Sequence, residues 1–88
     1  MEFGLFSVED VYVIKGKGVV AAGIVADGTF CVGDSVLITQ KDGGGMKSVV
    51  RGIEIFGHFE YAAKGDCVGI LLADISEKDI RAGDVIKR

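Results

Sequence analysis

The chain has 88 residues, and 13 acidic against 10 basic side chains give it a net charge of −3 at pH 7. So short a chain has little room for a second core, which predicts one domain over residues 1–88. The negative charge argues against binding nucleic acid mainly by neutralising phosphates, but it leaves a local basic patch open. No apolar run reaches the roughly 18 residues of a membrane span. Because Met1 and Glu2 also lack the positive start of a signal peptide, we expect a cytoplasmic protein without membrane association.

The chain contains 14 glycines and no proline, which is typical of a β protein with many tight turns. Glycine and lysine over residues 15–18 predict a turn between the first two strands, and residues 41–45 predict a hairpin tip. A longer loop is expected over residues 57–65. Runs of β-forming residues predict six strands, near residues 7–15, 18–27, 35–40, 46–56, 67–73 and 84–87.

Three Gly-Asp steps, at residues 33–34, 65–66 and 83–84, each lead into β-forming residues. Aspartate can accept hydrogen bonds from nearby amides and glycine relaxes the steric limit of a turn, so each step predicts a turn before a strand. Ser76 and Asp79 match a relaxed N-cap pattern, which predicts one short helical turn near residues 76–81.

In some predicted strands the side chains directed to both faces are apolar, as in residues 11–14. This pattern suits a small barrel whose outside is partly covered, although the simpler explanation of the same residues is that they are core. The small residues Ala21, Ala22 and Gly23 favour close approach of neighbouring strands. The predicted fold is therefore all-β, a small closed six-stranded barrel with one short helical turn.

The sequence provides no set of residues for catalysis, a metal or a cofactor. Residues 43–48 superficially resemble a phosphate loop, but Met46 and Lys41 stand where that loop requires glycine. Adjacent side chains on a strand point to opposite faces, so Glu9 and Asp10 are not expected to share a substrate. We therefore expect a protein that is not an enzyme.

The two cysteines, Cys31 and Cys67, share no metal-like spacing, and His58 is the only histidine. In a cytoplasmic protein both thiols are expected to be reduced and packed. A disulfide between them would require their strands to be neighbours, which the sequence does not decide.

Two groups of side chains are candidate binding residues. An aromatic group could stack on bases, anchor a protein partner or plug one end of the barrel. A basic group could form a local strip or merely a solvated face. The aromatic group comprises Phe56, His58, Phe59 and Tyr61, and the basic group comprises Lys15, Lys17, Lys41, Lys47 and Arg51.

The most specific pattern is Glu9-Asp10-Val11-Tyr12 followed by the turn Lys15-Gly16-Lys17-Gly18. Further matching pieces follow in order, including Gly52-Ile53-Glu54 and Gly65-Asp66-Cys67-Val68-Gly69. In these pieces the chain, from about Phe6 to Ile86, resembles the second, β-barrel domain of elongation factor Tu and related translational GTPases. The resemblance implies a barrel that accompanies a GTPase, helps to hold the aminoacylated 3′ end of tRNA and faces the small ribosomal subunit.

The resemblance also implies site residues. The acidic pair of the family falls on Glu9 and Asp10, and its neighbouring aromatic residue falls on Tyr12. A threonine, an arginine and an asparagine of the family are replaced by apolar or weakly polar residues, which predicts poor recognition of an aminoacyl ester. The replaced positions are Ala22, Ile24 and Cys67.

Two functions remain open from the sequence. The first is a non-catalytic binding module that docks on the ribosome, tRNA or a translation factor. The alternative is a protein-interaction or homo-oligomerisation module outside translation, which would use the apolar outer surface of the barrel.

Overall fold

The structure, a computed structural model, describes residues 3–54 and 58–88. These residues form eight β-strands and no α-helix. The strands are β1 (Gly4–Ile14), β2 (Gly18–Cys31), β3 (Ser35–Thr39), β4 (Gly45–Glu54), β5 (His58–Phe59), β6 (Tyr61–Ala63), β7 (Cys67–Leu72) and β8 (Val85–Lys87).

Six of the strands close into a barrel. Their order around the wall is β1-β8-β3-β4-β7-β2, and β2 pairs back onto β1 to complete the ring. All pairings are antiparallel. The two short strands β5 and β6 pair with β4 and β2, respectively, outside the ring. The predicted all-β, closed six-stranded barrel is therefore confirmed.

The predicted strands coincide with the six strands of the ring, apart from their ends, and residues 55–56 of the fourth predicted strand lie outside the described residues. The second strand continues beyond residue 27 to Cys31, where it pairs with β6. The expected loop over residues 57–65 contains both short strands. The predicted hairpin tip is present, since the Gly43 amide donates to the Gln40 carbonyl (2.9 Å) between β3 and β4. A strand-to-strand hairpin at this place lacks the strand-to-helix context of a phosphate loop.

The segment near residues 76–81 differs in detail from the prediction. Its capping bonds are present, because the Ser76 amide donates to Asp79 Oδ2 (2.8 Å) and the Lys78 amide donates to Ser76 Oγ (3.2 Å). The Asp79 amide closes the turn on the Ser76 carbonyl (2.9 Å). The turn does not continue into a helix, because Ile80 is buried in the core and the turn before β8 follows directly.

The inside of the barrel is filled by one apolar cluster. Phe6 and Phe30 meet edge to face at its centre, with ring centroids 6.1 Å apart and an interplanar angle of 80°. Such aromatic pairs contribute on the order of 1 kcal/mol beyond the area that they bury. The other members of the cluster are Val8, Val19, Ala21, Val25, Val36, Ile38, Val50, Ile53, Ala62, Val68, Ile70, Leu72, Ile80 and Ile86.

The three Gly-Asp steps form the predicted turns, and each repeats the same hydrogen bonds. The aspartate Oδ2 accepts from the amide three residues earlier, at distances of 2.6 Å for Asp34, 2.9 Å for Asp66 and 2.9 Å for Asp84. The aspartate amide donates to the carbonyl of that same earlier residue. The glycine before each aspartate has φ between 95° and 97°, a conformation that favours glycine.

Two polar residues add contacts that the turns alone do not require. Asp84 is 1% exposed, and its Oδ1 also accepts from the Lys41 amide (3.0 Å), which ties the tip of the β3–β4 hairpin to the turn before β8. The side chain of Arg88 is only 7% exposed. Its Nε pairs with Asp34 Oδ2 (2.9 Å), and its Nη1 donates to the carbonyl (2.7 Å) and hydroxyl (2.9 Å) of Thr29.

The pair β1–β2 is bent by an irregularity at Glu9. Val8 faces Gly23 and Asp10 faces Ala22, so Glu9 is an extra residue, a β-bulge, without a partner on β2. The backbones are unusually close here, because a Cβ added to Gly23 would overlap the Ser7 carbonyl oxygen. The close approach expected from the small residues of this strand is therefore present at Gly23.

The substitution Gly23→Ala tests this close approach. We expect it to lower the free energy of unfolding by about 2–3 kcal/mol, because the backbone of β1 must move to admit the methyl group. The matched control is Gly45→Ala, where an added Cβ would lie 3.5 Å from Leu37 Cδ1, an ordinary contact. Urea unfolding of both variants measures the difference, and equal stability would contradict the proposed steric constraint.

The turn before β8, whose aspartate is buried, should contribute more to stability than the turn that contains the exposed Asp66. Asp84→Ala removes the acceptors of the partly buried Lys41 and Arg81 amides, so we expect a loss of about 3 kcal/mol. Asp66→Ala removes one exposed bond to the Ala63 amide and should cost about 1 kcal/mol. Urea unfolding measures both losses. Equal losses would show that Asp84 acts only within its own turn.

Candidate functional site

A cleft of about 350 Å³ lies on the outer wall of the barrel over β1, β2 and β7. It unites residues far apart in sequence, because β2 pairs with β1 on one side and with β7 on the other. The lining residues are Glu9, Asp10, Tyr12, Ala22, Gly23, Glu54, Cys67, Val68 and Gly69.

The β-bulge places the two adjacent carboxylates in the same cleft. Both Glu9 and Asp10 are exposed and line it, so the expectation that they point away from a common ligand is wrong. The reason is the extra residue at Glu9, which breaks the alternation of side chains along β1. Asp10 Oδ1 accepts from the Val11 amide (2.9 Å), which restrains the orientation of that carboxylate.

Tyr12 forms the aromatic part of the cleft. It faces Val20 across β1–β2, and Val20 in turn faces Leu71 on β7. A Cβ added to Gly69 would lie 2.9 Å from Val20 Cγ1 and 3.4 Å from the Tyr12 hydroxyl. The tyrosine ring therefore reaches across β2 toward β7, and the absence of a side chain at Gly69 leaves room for it. Val20 is fully buried at this place, although it is not a member of the apolar cluster inside the barrel, to which its neighbours Val19 and Ala21 belong.

The structure brings two of the three replaced family positions into this cleft. Ala22 and Cys67 line it, whereas Ile24 is the cross-strand neighbour of Cys67 and lies beside it. Cys67 is exposed, so the expectation that both cysteines are packed is wrong for this one. Cys31 is half-buried and faces Tyr61 on β6, so the two cysteines do not face each other, and both are free thiols.

A smaller depression with cationic side chains adjoins the cleft. Its lining includes Lys17, Arg51 and Glu54, and Glu54 also lines the cleft. Lys17 Nζ lies 3.3 Å from Glu54 Oε1. Arg51 is exposed and is the extra residue of a second irregularity, where Val50 and Gly52 face consecutive residues of β7. Two cations and a carboxylate thus lie at the edge of the cleft.

The other residues of the predicted basic group do not join this depression. Lys15 is exposed in the β1–β2 turn. The Lys41 side chain lies beside Gly83, and Lys47 lines a separate groove on another part of the wall. Of the five basic residues, the structure therefore places Lys17 and Arg51 together at the cleft.

The aromatic residues of the β5–β6 region are on the surface. The exposed fractions of Phe59 and Tyr61 are 50% and 62%, so these two side chains do not plug the end of the barrel. Phe56 and the side chain of His58 lie outside the described residues.

The chemistry of the cleft is that of a hydrogen-bond acceptor with an aromatic wall. Glu9, Asp10 and Glu54 offer carboxylate oxygens to hydroxyl or amino donors, and Tyr12 offers a ring for stacking. Among the described residues, no group of three or more His, Cys, Asp or Glu side chains is arranged to hold a metal ion. In the same residues, no helix is long and apolar enough to cross a membrane.

Sequence reasoning did not identify Glu54 or Gly69 as cleft residues. Glu54 terminates β4, and only the path of β4 along β7 carries it to the cleft, where it pairs with Gly69. The one available signal was the presence of both residues in the pieces that resemble the translational GTPases.

A comparison with known families supports the fold. The family model described as elongation factor Tu domain 2 matches residues 18–86, which is most of the chain. That domain is a non-catalytic β-barrel and an accessory domain of a translation factor. The 88 residues include no GTPase domain beside it. With the closed barrel and its order of strands, this match means that the chain belongs to the elongation factor Tu domain 2 family.

Proposed function

We propose that this protein is a cytoplasmic, non-catalytic docking module of translation that binds tRNA or ribosomal RNA through the cleft on β1, β2 and β7. The observation that carries the proposal is the convergence of Glu9, Asp10 and Tyr12 on one cleft. In the sequence resemblance these three residues fall on the acidic pair and the aromatic residue of the family, and they lie before the residues 18–86 that the family model matches.

The chemistry of the cleft fits an unpaired nucleoside rather than a phosphate. The carboxylates of Glu9 and Asp10 can accept hydrogen bonds from ribose hydroxyls and from base amino groups. The Tyr12 ring provides a stacking surface. A phosphate would be repelled inside the cleft. Lys17 and Arg51 at its edge supply the positive charge that a neighbouring phosphate requires.

The replaced positions limit what the cleft recognises. Ala22 and Cys67 leave the wall opposite the acidic pair without the hydroxyl and amide groups of the family. A site that lacks polar partners for an ester or an amino group discriminates weakly in their favour. We therefore propose docking on RNA with little preference for an aminoacylated end.

The first test measures binding to ribosomal subunits and to tRNA over a range of salt concentrations. Lys17→Gln/Arg51→Gln should weaken binding and reduce the slope of log affinity against log salt by about 1.4, since each lost phosphate contact on a single strand removes about 0.7. Lys64→Gln/Lys78→Gln is the matched control, because both lysines are exposed and neither lines the cleft or the depression. An unchanged slope in the first variant, or no binding at low salt, would overturn the proposal.

The second test restores the missing polar groups. We expect the wild-type barrel to bind aminoacylated and uncharged tRNA within about twofold of each other. Ala22→Thr/Cys67→Asn should favour the aminoacylated form by about tenfold, because hydroxyl and amide partners reappear in the cleft. Competition binding with both tRNA forms measures this ratio. If the wild type already discriminates strongly, the replaced positions are not the determinants.

A second candidate function is a protein-interaction or homo-oligomerisation module. It is favoured by exposed apolar side chains on the barrel surface, including Phe3, Val13, Phe59 and Tyr61. A concentration-dependent dimer in sedimentation velocity, without measurable binding to tRNA or ribosomal subunits, would favour this candidate over RNA docking.

A further inference from the structure

A groove of about 730 Å³ lies on the wall of the barrel formed by β3, β4 and β8. Its floor contains two exposed aliphatic side chains, Leu37 and Val49, with exposed fractions of 42% and 38%. Solvated aliphatic side chains grouped in a concave surface are typical of a site that another molecule covers.

Two lysines flank the floor in a defined geometry. On one side Leu37 faces Lys47 of β4, and on the other side it faces Lys87 of β8. Adjacent strands lie about 5 Å apart, so the backbones that carry the two lysines are about 10 Å apart with Leu37 between them. Together, Lys47, Leu37 and Lys87 present an apolar centre between two positive charges.

These charges are not neutralised by the described part of the chain. Lys47 and Lys87 are exposed, and neither forms an ion pair with another described residue. Arg88 also lines the groove, but its guanidinium pairs with Asp34. Asp74 also lines the groove, in the segment after β7, where the neighbouring Ala73 amide donates to the Val49 carbonyl. A protein of net charge −3 thus carries a positive, apolar groove.

We propose that this groove binds an acidic amphipathic segment of a protein partner. Aliphatic side chains of the segment would pack on Leu37 and Val49, and its carboxylates would lie over Lys47 and Lys87. Charge complementarity with the two lysines favours a negatively charged partner. The aliphatic floor favours a protein over RNA because the groove offers no aromatic ring for base stacking. The inference does not depend on the cleft, which lies over β1, β2 and β7.

The test uses a fluorescein-labelled amphipathic helical peptide with a leucine stripe flanked by glutamates, followed by fluorescence anisotropy. We expect Lys47→Glu/Lys87→Glu to weaken its binding by about tenfold. Leu37→Ser/Val49→Ser should weaken it by a similar factor, because the floor loses its apolar contacts. Circular dichroism and thermal unfolding establish that the variants remain folded, as expected for exposed positions.

Two controls separate this site from general attraction. Lys64→Glu/Lys78→Glu makes the same change of charge outside the groove and should leave affinity within about twofold. A peptide with lysines in place of the glutamates should bind the wild type at least about tenfold more weakly.

Four results would overturn the proposal. The first two are equal binding of both peptides and loss of binding in the control variant. The third is single-stranded RNA binding that depends on Lys47 and Lys87, which would assign the groove to nucleic acid. The fourth is a dimer in sedimentation velocity that the Lys47→Glu/Lys87→Glu variant abolishes, which would assign the groove to a second copy of the chain.

Discussion

The close approach of β1 and β2 at Gly23 is the constraint on which the rest of the structure depends. The first two strands form the longest pairing of the barrel, and their contact completes the ring. Only a residue without a Cβ fits beside the Ser7 carbonyl, and two residues after Ser7 the chain carries Glu9 as an extra residue outside the ladder. The bulge bends β1, and bends of this kind help a sheet to close into a narrow barrel. The same bulge turns two neighbouring carboxylates toward one cleft, so closure and the candidate site share one cause.

Buried polar contacts compensate for the small core of an 88-residue chain. Asp84 joins the tip of the β3–β4 hairpin to the turn before β8, and Arg88 joins Asp34 to the end of β2. Both contacts link parts of the ring that are distant in sequence. Because the Asp84 carboxylate and the Arg88 guanidinium both have partners, these contacts stabilise the arrangement rather than oppose it.

Much of the fold could be predicted because its signals are local. Runs of β-forming residues located the strands of the ring, and the Gly-Asp steps located three turns whose hydrogen bonds span only three residues. The small residues near Gly23 indicated a close approach of strands for a steric reason that is also local. The family resemblance added the closure of the ring, which the strand pattern alone favoured without fixing the order of strands.

The features that escaped prediction depend on non-local geometry. The single extra residue at Glu9 interrupts the alternation of side chains between the two faces of β1. No feature of the sequence at this position indicates the extra residue. A charged residue such as Arg88 is expected to be solvated, yet its side chain is only 7% exposed because Asp34 and Thr29 lie beside it once the barrel closes. The aromatic side chains of Phe59 and Tyr61 could fill one end of a barrel, but their short strands lie outside the ring.

The order of strands also determines how the two candidate surfaces relate. The cleft is centred on β2 and the groove on β3, and these strands lie three steps apart in a ring of six, so they stand on opposite walls. Strand β4 contributes to both, with Glu54 at its end in the cleft and Lys47 near its start in the groove. An occupant of one wall therefore leaves the other wall accessible. Under the two proposals, the barrel can hold RNA on its β2 wall while a protein segment occupies its β3 wall. Such an arrangement would make this small domain an adaptor between the two partners.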